Sequence, residues 1–147
     1  AVPVCLMHAQ GSPQTMQDDP QYDHVVEEVI TFLLERVAAC ESAGIDKNQL
    51  ILDPGFGFGK RARHNLQLMK YLSRLVEADL PILIGVSRKS IIGKLLNVSV
   101  EERLAGSLAL ASLAVWQGAK IVRTHDVRET VQVVNLCNHV MQVEECD

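Results

Sequence analysis

Four short apolar runs in this chain each stop at a polar residue of chemical interest. Val2–Met7 stops at His8, Leu50–Leu52 at Asp53, Pro81–Gly85 at Ser87-Arg88-Lys89, and Lys120–Val122 at Arg123-Thr124-His125. Between the runs lie stretches with apolar residues at 3- and 4-residue spacing, the helical period. A strand–helix repeat builds a parallel sheet, so all the strand ends point one way and gather their polar residues on one rim. That rim is where ligands bind in open α/β sheets and in (β/α)8 barrels.

The helical stretches carry their own boundaries. Asp23 is placed to cap a helix with Val26, Val29, Ile30, Leu33 and Val37 on one face, closed by Gly44. A second helix, starting near Asn65, is expected to bury Leu66, Met69, Leu72, Leu75 and Val76 and to end before Pro81. A short helix after Ser87 carries Ile91, Ile92, Leu95 and Leu96. Ser99 and Glu102 form a capping-box pattern, opening a helix through Leu104, Leu108, Ala111 and Val115 to Gly118, with Trp116 expected in the core. The last helix opens at Asp126 and presents Val127, Val131, Val134 and Met141 on one face. The order β-α-β-α-β-α-α-β-α gives an α/β fold of four parallel βα units. Periodicity leaves open whether these form half of an eight-stranded barrel or a small open sheet.

At 147 residues the chain is read as one segment, 1–147, able to bury a core of its own. A net charge of -4 argues against a general nucleic-acid partner. No apolar run approaches the ~20 residues of a membrane helix. No leader is expected, because the chain opens on an apolar run without a positive n-region. It begins on that run without Met, as though cut from something longer. Cys5, Cys40, Cys137 and Cys146 show no CxxC spacing and read as free thiols of a cytoplasmic protein.

Asp53-Pro54-Gly55-Phe56-Gly57-Phe58-Gly59-Lys60 is the sharpest string. It is not a phosphate loop of the Walker type, since Lys60 is followed by Arg61, and Lys60 also breaks the G-x-G-x-x-G dinucleotide pattern. Two readings stand. The loop closes exposed aromatic rings over a flat ligand while Asp53 accepts two hydrogen bonds from an amidine-like edge, or it is a tight turn with Asp53 capping local N–H groups. Ser87-Arg88-Lys89-Ser90 opens a helix, where N–H groups favour anions and Lys89 adds a mobile donor. Arg123 and His125 alternate onto one side of a strand end, a pair suited to phosphate, unless the arginine pairs with an acid such as Asp126. His8 reads as a loop-shaping residue, and His24, His64 and His139 as surface. No spacing suggests a metal site built from this segment alone.

The strings Leu52-Asp-Pro-Gly-Phe-Gly-Phe-Gly-Lys60, Gly85-Val-Ser-Arg-Lys-Ser90 and Val122-Arg-Thr-His-Asp126, in this order, resemble dihydropteroate synthase. So does Val4-Cys-Leu-Met-His8 followed by Gly11-Ser-Pro-Gln-Thr-Met16. The resemblance spans essentially the whole chain and corresponds to the second half of that enzyme's (β/α)8 barrel, from strand five to the last helix. It implies condensation of 6-hydroxymethyl-7,8-dihydropterin pyrophosphate with p-aminobenzoate, assisted by Mg2+ whose ligands come mainly from substrate and the other half-barrel. It also implies inhibition by sulfonamides. By the same resemblance Met7, Asp53, Phe58, Gly85, Lys89 and Arg123 bind pterin, with Lys89 and Arg123 catalytic. Phe58, Ser87, Arg88 and Lys89 contact p-aminobenzoate, and Arg123 and His125 hold pyrophosphate. The alternatives are a pterin-dependent methyltransferase, or a half-barrel that binds pterin without turnover. An inner sheet face including Val4, Leu6, Leu52, Leu83 and Val122 is expected to seek a partner, giving a homodimer that is inactive by itself.

Overall fold

The computed structural model describes residues 2–12 and 14–144. Strand β1 (Val4–Met7) is followed by helix α1 (Val25–Ser42), strand β2 (Leu50–Asp53) and helices α2 (Ala62–Lys70) and α3 (Ser73–Val76). Strand β3 (Leu83–Ile84), helices α4 (Ser90–Leu96) and α5 (Leu104–Trp116), strand β4 (Ile121–Val122) and helix α6 (Val127–Met141) complete the chain. The expected order of elements is present, with the second helix split in two.

β1 pairs in parallel with β2, from Val4 opposite Leu50 to Met7 opposite Asp53. β3 pairs in parallel with β4, Leu83 opposite Ile121 and Ile84 opposite Val122. One parallel bridge, Leu52 with Ile82, joins the two pairs, and the Leu52 N–H donates to the Pro81 carbonyl at 2.9 Å. The α/β class and parallel direction therefore hold, while the described ladder is two short sheets rather than one wall of four long strands. Pro81 has no N–H to extend the ladder where β3 would begin.

Alternation along these strands sets two faces. Leu50, Leu52, Ile82 and Ile84 have no exposed surface and meet Val29, Leu33, Val37, Leu68, Leu72, Leu75 and Ala114 from the helices. The expectation that Val4, Leu6, Leu52, Leu83 and Val122 line the open inner face is thus corrected for all but Leu83. By register Val4, Leu6, Leu52 and Val122 fall on the side of Leu50 and Ile84, with Leu52 in the core and Leu6 packed against it. Leu83 alone of the five alternates to the open face. The neighbours in sequence of the other four take that face.

Several helix expectations shift. α1 starts at Val25 with His24 rather than Asp23 at its N-cap, and the Glu28 carboxylate accepts the His24 N–H at 2.8 Å. Asn65 lies inside α2, not at its start, and Leu68 is buried where Leu66 is exposed. Glu102 accepts the Ser99 N–H at 3.0 Å, half of the capping box, but the helix begins only at Leu104. Trp116 is 58% exposed, not core. α5 is apolar on nearly every side, so periodicity could not select its buried stripe, which runs through Ala111, Ala114 and Val115. On α6 the Val127, Val131 and Met141 side chains are exposed. Cys5, Cys40 and Cys137 are free thiols, and Cys146 lies outside the described residues. No helix among the described residues is long and apolar enough to cross a membrane.

Candidate active site

The face turned away from the helices carries the chemistry. Register places Met7 beside Asp53, and the Leu52–Ile82 bridge places Asp53 beside Leu83 and then Ile121. Two residues further along their strands come Gly85 and Arg123 on the same side. The contact between the last two is close: a Cβ on Gly85 would lie 2.9 Å from the Arg123 Nη2. Only a glycine lets the guanidinium lie flat across β3 at this point.

Asp53 ends β2 and is buried, and its Oδ1 accepts the Gly55 N–H at 2.7 Å. Burial pushes its carboxyl pKa up, opposed by the Gly55 N–H and by the charges of Arg123, Lys89 and Lys60. The Gly55 contact is the tight-turn reading of this string, in which Asp53 caps a local N–H. Gly55 turns with φ +69°, and a side chain there would drive into the His8 carbonyl, 1.8 Å from the built Cβ. Of the two loop aromatics, Phe56 is in the core, which corrects the expectation of two exposed rings. Phe58 stays half-buried, with the Lys89 Nζ 4.1 Å from its ring centroid. Lys89 also donates to the Phe56 carbonyl at 2.5 Å, and burial lowers its pKa while Asp53 raises it.

Ser87, buried at the end of β3, accepts the His125 backbone N–H at 3.1 Å and lies 2.9 Å from His125 Nδ1. That contact fixes the imidazole and leaves Nε2 directed elsewhere. Arg88 adopts φ +54°, its N–H donating to Ser107 Oγ at 2.9 Å and its carbonyl accepting from Arg103 Nη1 at 3.0 Å. Its guanidinium pairs with Asp126, so the acid considered for Arg123 is taken by Arg88 instead.

One cavity of about 390 Å³ is lined by Phe58, Gly85, Ser87, Lys89, Arg123, Thr124 and His125. Six of these were singled out in the sequence. Asp53 and Met7 lie on the same open face, whereas Arg88 is directed to Asp126 outside the lining. A larger hollow, about 720 Å³, runs between β4 and α6 and holds no acid. Two side chains that carried no site role in the sequence pattern shape the loop. The Asn65 Oδ1 accepts the Gly57 N–H at 2.8 Å, and the Lys60 ammonium is buried under the loop. Each sits in a polar string that looks solvated until the fold closes over it.

A parallel α/β scaffold with an acid, two cations and an aromatic ring gathered at one strand-end rim has the arrangement in which α/β folds bind ligands. A family model described as pterin binding enzyme matches residues 1–125. The chain belongs to that family of pterin binding enzymes. Dihydropteroate synthase of Escherichia coli (strain K12) is 52% identical over 144 residues, covering 98% of this chain and 51% of that protein. The Yersinia pestis dihydropteroate synthase crystallised with a sulfonamide drug matches with TM-score 0.94 and 48% identity, over 97% of this chain and 52% of that one. The Xanthomonas albilineans enzyme in complex with 7,8-dihydropteroate matches with TM-score 0.88 and 47% identity, over 97% and 52%. The chain spans about half the length of the relatives it matches.

Proposed function

We propose that residues 1–147 are the second half of a dihydropteroate synthase (β/α)8 barrel and carry its pterin-binding wall. The observation that carries this reading is the shared open face of Met7, Asp53, Gly85 and Arg123, with Lys89 held over Phe58 at the mouth of the same cavity. A pterin presents a flat ring with a guanidine-like edge. Asp53 accepts from that edge in a bidentate way, Lys89 donates to the ring carbonyl and nitrogen, and Arg123 stacks on the ring. Beyond the ring, Arg123 and His125 face the pyrophosphate of 6-hydroxymethyl-7,8-dihydropterin pyrophosphate. The leaving pyrophosphate gains charge as its C–O bond breaks, so fixed cations beside it stabilise the transition state more than the ground state. Phe58, Ser87, Lys89 and the Arg88 turn form the side on which p-aminobenzoate attacks and sulfonamides compete.

The complexes of relatives with dihydropteroate and with a sulfonamide support these partners. Mg2+ would be held mainly by the substrate and the other half-barrel, where it would neutralise charge on the leaving pyrophosphate. Among the described residues no three His, Cys, Asp or Glu side chains converge on an ion, and this chain's own cations meet the substrate directly. The chain is proposed to work in the cytoplasm. Calorimetric titration of the 147-residue chain with the pterin pyrophosphate tests the reading: saturable binding is expected, and none at millimolar ligand overturns it.

A further inference from the structure

Lys60 lies outside the cavity lining, yet it is only 3% exposed. Lysines are almost never buried without partners. The Lys60 Nζ is 2.9 Å from His8 Nδ1, 3.0 Å from the Gly55 carbonyl and 3.0 Å from the Phe58 carbonyl, with the His8 carbonyl at 3.4 Å. An ammonium has three N–H donors, and three well-placed acceptors meet them. These acceptors belong to two separate pieces of chain. His8 follows β1, while Gly55 and Phe58 bracket the loop after β2.

We propose that Lys60 is a positioning residue, the latch that closes the 55–59 loop onto the end of β1 and so sets the Phe58 ring and its Lys89 neighbour at the cavity mouth. Toward the Lys60 ammonium, Nδ1 of His8 is the acceptor, which places the ring proton on Nε2 and keeps the imidazole neutral. Burial, with the Lys60 charge adding to it, lowers the His8 pKa to about 4, in keeping with that tautomer. The His8 ring is held edge-on to Phe32 at 4.9 Å, and Tyr22 pins the same loop by donating to the Gly59 carbonyl at 2.8 Å. Burial lowers the Lys60 pKa to about 7, a drop that the Asp53 charge opposes and the Lys89 charge adds to. The latch takes its purpose from pterin binding and rests on that reading for function, while its effect on the loop stands without ligand.

Hydrogen exchange on the 147-residue chain tests it. In Lys60→Ala the amides of residues 55–59 are expected to exchange about tenfold faster while those of Val29–Val37 in α1 keep their protection. Ethylammonium supplied in solution is expected to restore slow exchange by refilling the vacated site, an outcome that loss of general packing would not give. Unchanged exchange at 55–59, or faster exchange that ethylammonium leaves untouched, overturns the latch. In the wild type, reductive methylation should spare Lys60 while modifying the exposed Lys47, Lys70 and Lys120, and equal labelling also overturns it, even should the variant fail to fold. Pterin titration is read separately. A wild type that shows the exchange pattern but binds no pterin refutes the proposed function and leaves the latch intact.

Discussion

At Gly85 the absence of a side chain and the presence of Arg123 are one fact, since the guanidinium occupies the space a Cβ would need. Gly85→Ala should therefore displace Arg123 and weaken pyrophosphorylated pterin more than unphosphorylated pterin. Arg123→Ala should show the same preference, because only the pyrophosphate presents charge to it. Equal losses for both ligands in calorimetry would leave ring stacking as its whole role. Asp53→Asn removes one partner of a buried charged hydrogen bond, a change that typically costs ~2–5 kcal/mol. Pterin affinity should fall at least ~30-fold, and near-normal titration would remove Asp53 from recognition. Asp53, Lys89 and Arg123 were legible because each closes an apolar run at a strand end. Lys60 and His8 were not, because their pairing joins positions 52 residues apart, and nothing local in either string announces it.

Between elements, the end of β1 and the loop after β2 share a buried imidazole, and this ties their contact to pH. The folded chain holds His8 near pKa 4, against 6.5 without the fold. Between these values the unfolded chain binds a proton that the folded chain refuses. Stability should thus fall as pH drops from about 6.5 toward 4 and level off below. Chemical denaturation across that window, compared with His8→Gln, reads the effect; an unchanged slope in the variant would assign the acid sensitivity elsewhere. Elements with a clear apolar stripe, α1 above all, were readable from spacing. α5 was not, since a helix apolar on all sides leaves its orientation to its neighbours, and Trp116 accordingly faced outward. The break between α2 and α3 at Tyr71–Leu72 left Leu72 and Leu75 buried as expected, because both short helices keep the same side to the sheet.

On the scale of the molecule, β1 and β4 are outer strands with no further ladder partner among the described residues, and the face of α6 bearing Val127, Val131 and Met141 is exposed beside the 720 Å³ hollow. Apolar edges of this extent favour association. Sedimentation should show a species larger than a monomer at tens of micromolar, with no dihydropteroate formed by this chain alone; a monomer, or measurable turnover, would refute the respective claim. The α/β class was legible from four strand-like runs, whereas the shortness of β3 and β4 was not, because it follows from Pro81 and Gly85 acting within a ladder. One joint then matters beyond its size. Met7 and Asp53 stand on one sheet, Gly85 and Arg123 just past the strands of the other, and among the described residues a single bridge at Leu52 and Ile82 couples the two. A ligand gripped at one end by Asp53 and at the other by Arg123 is a crosslink across that seam. Its binding should stiffen the seam in proportion to affinity, so that substrate serves the scaffold as a splint as well as feeding the reaction.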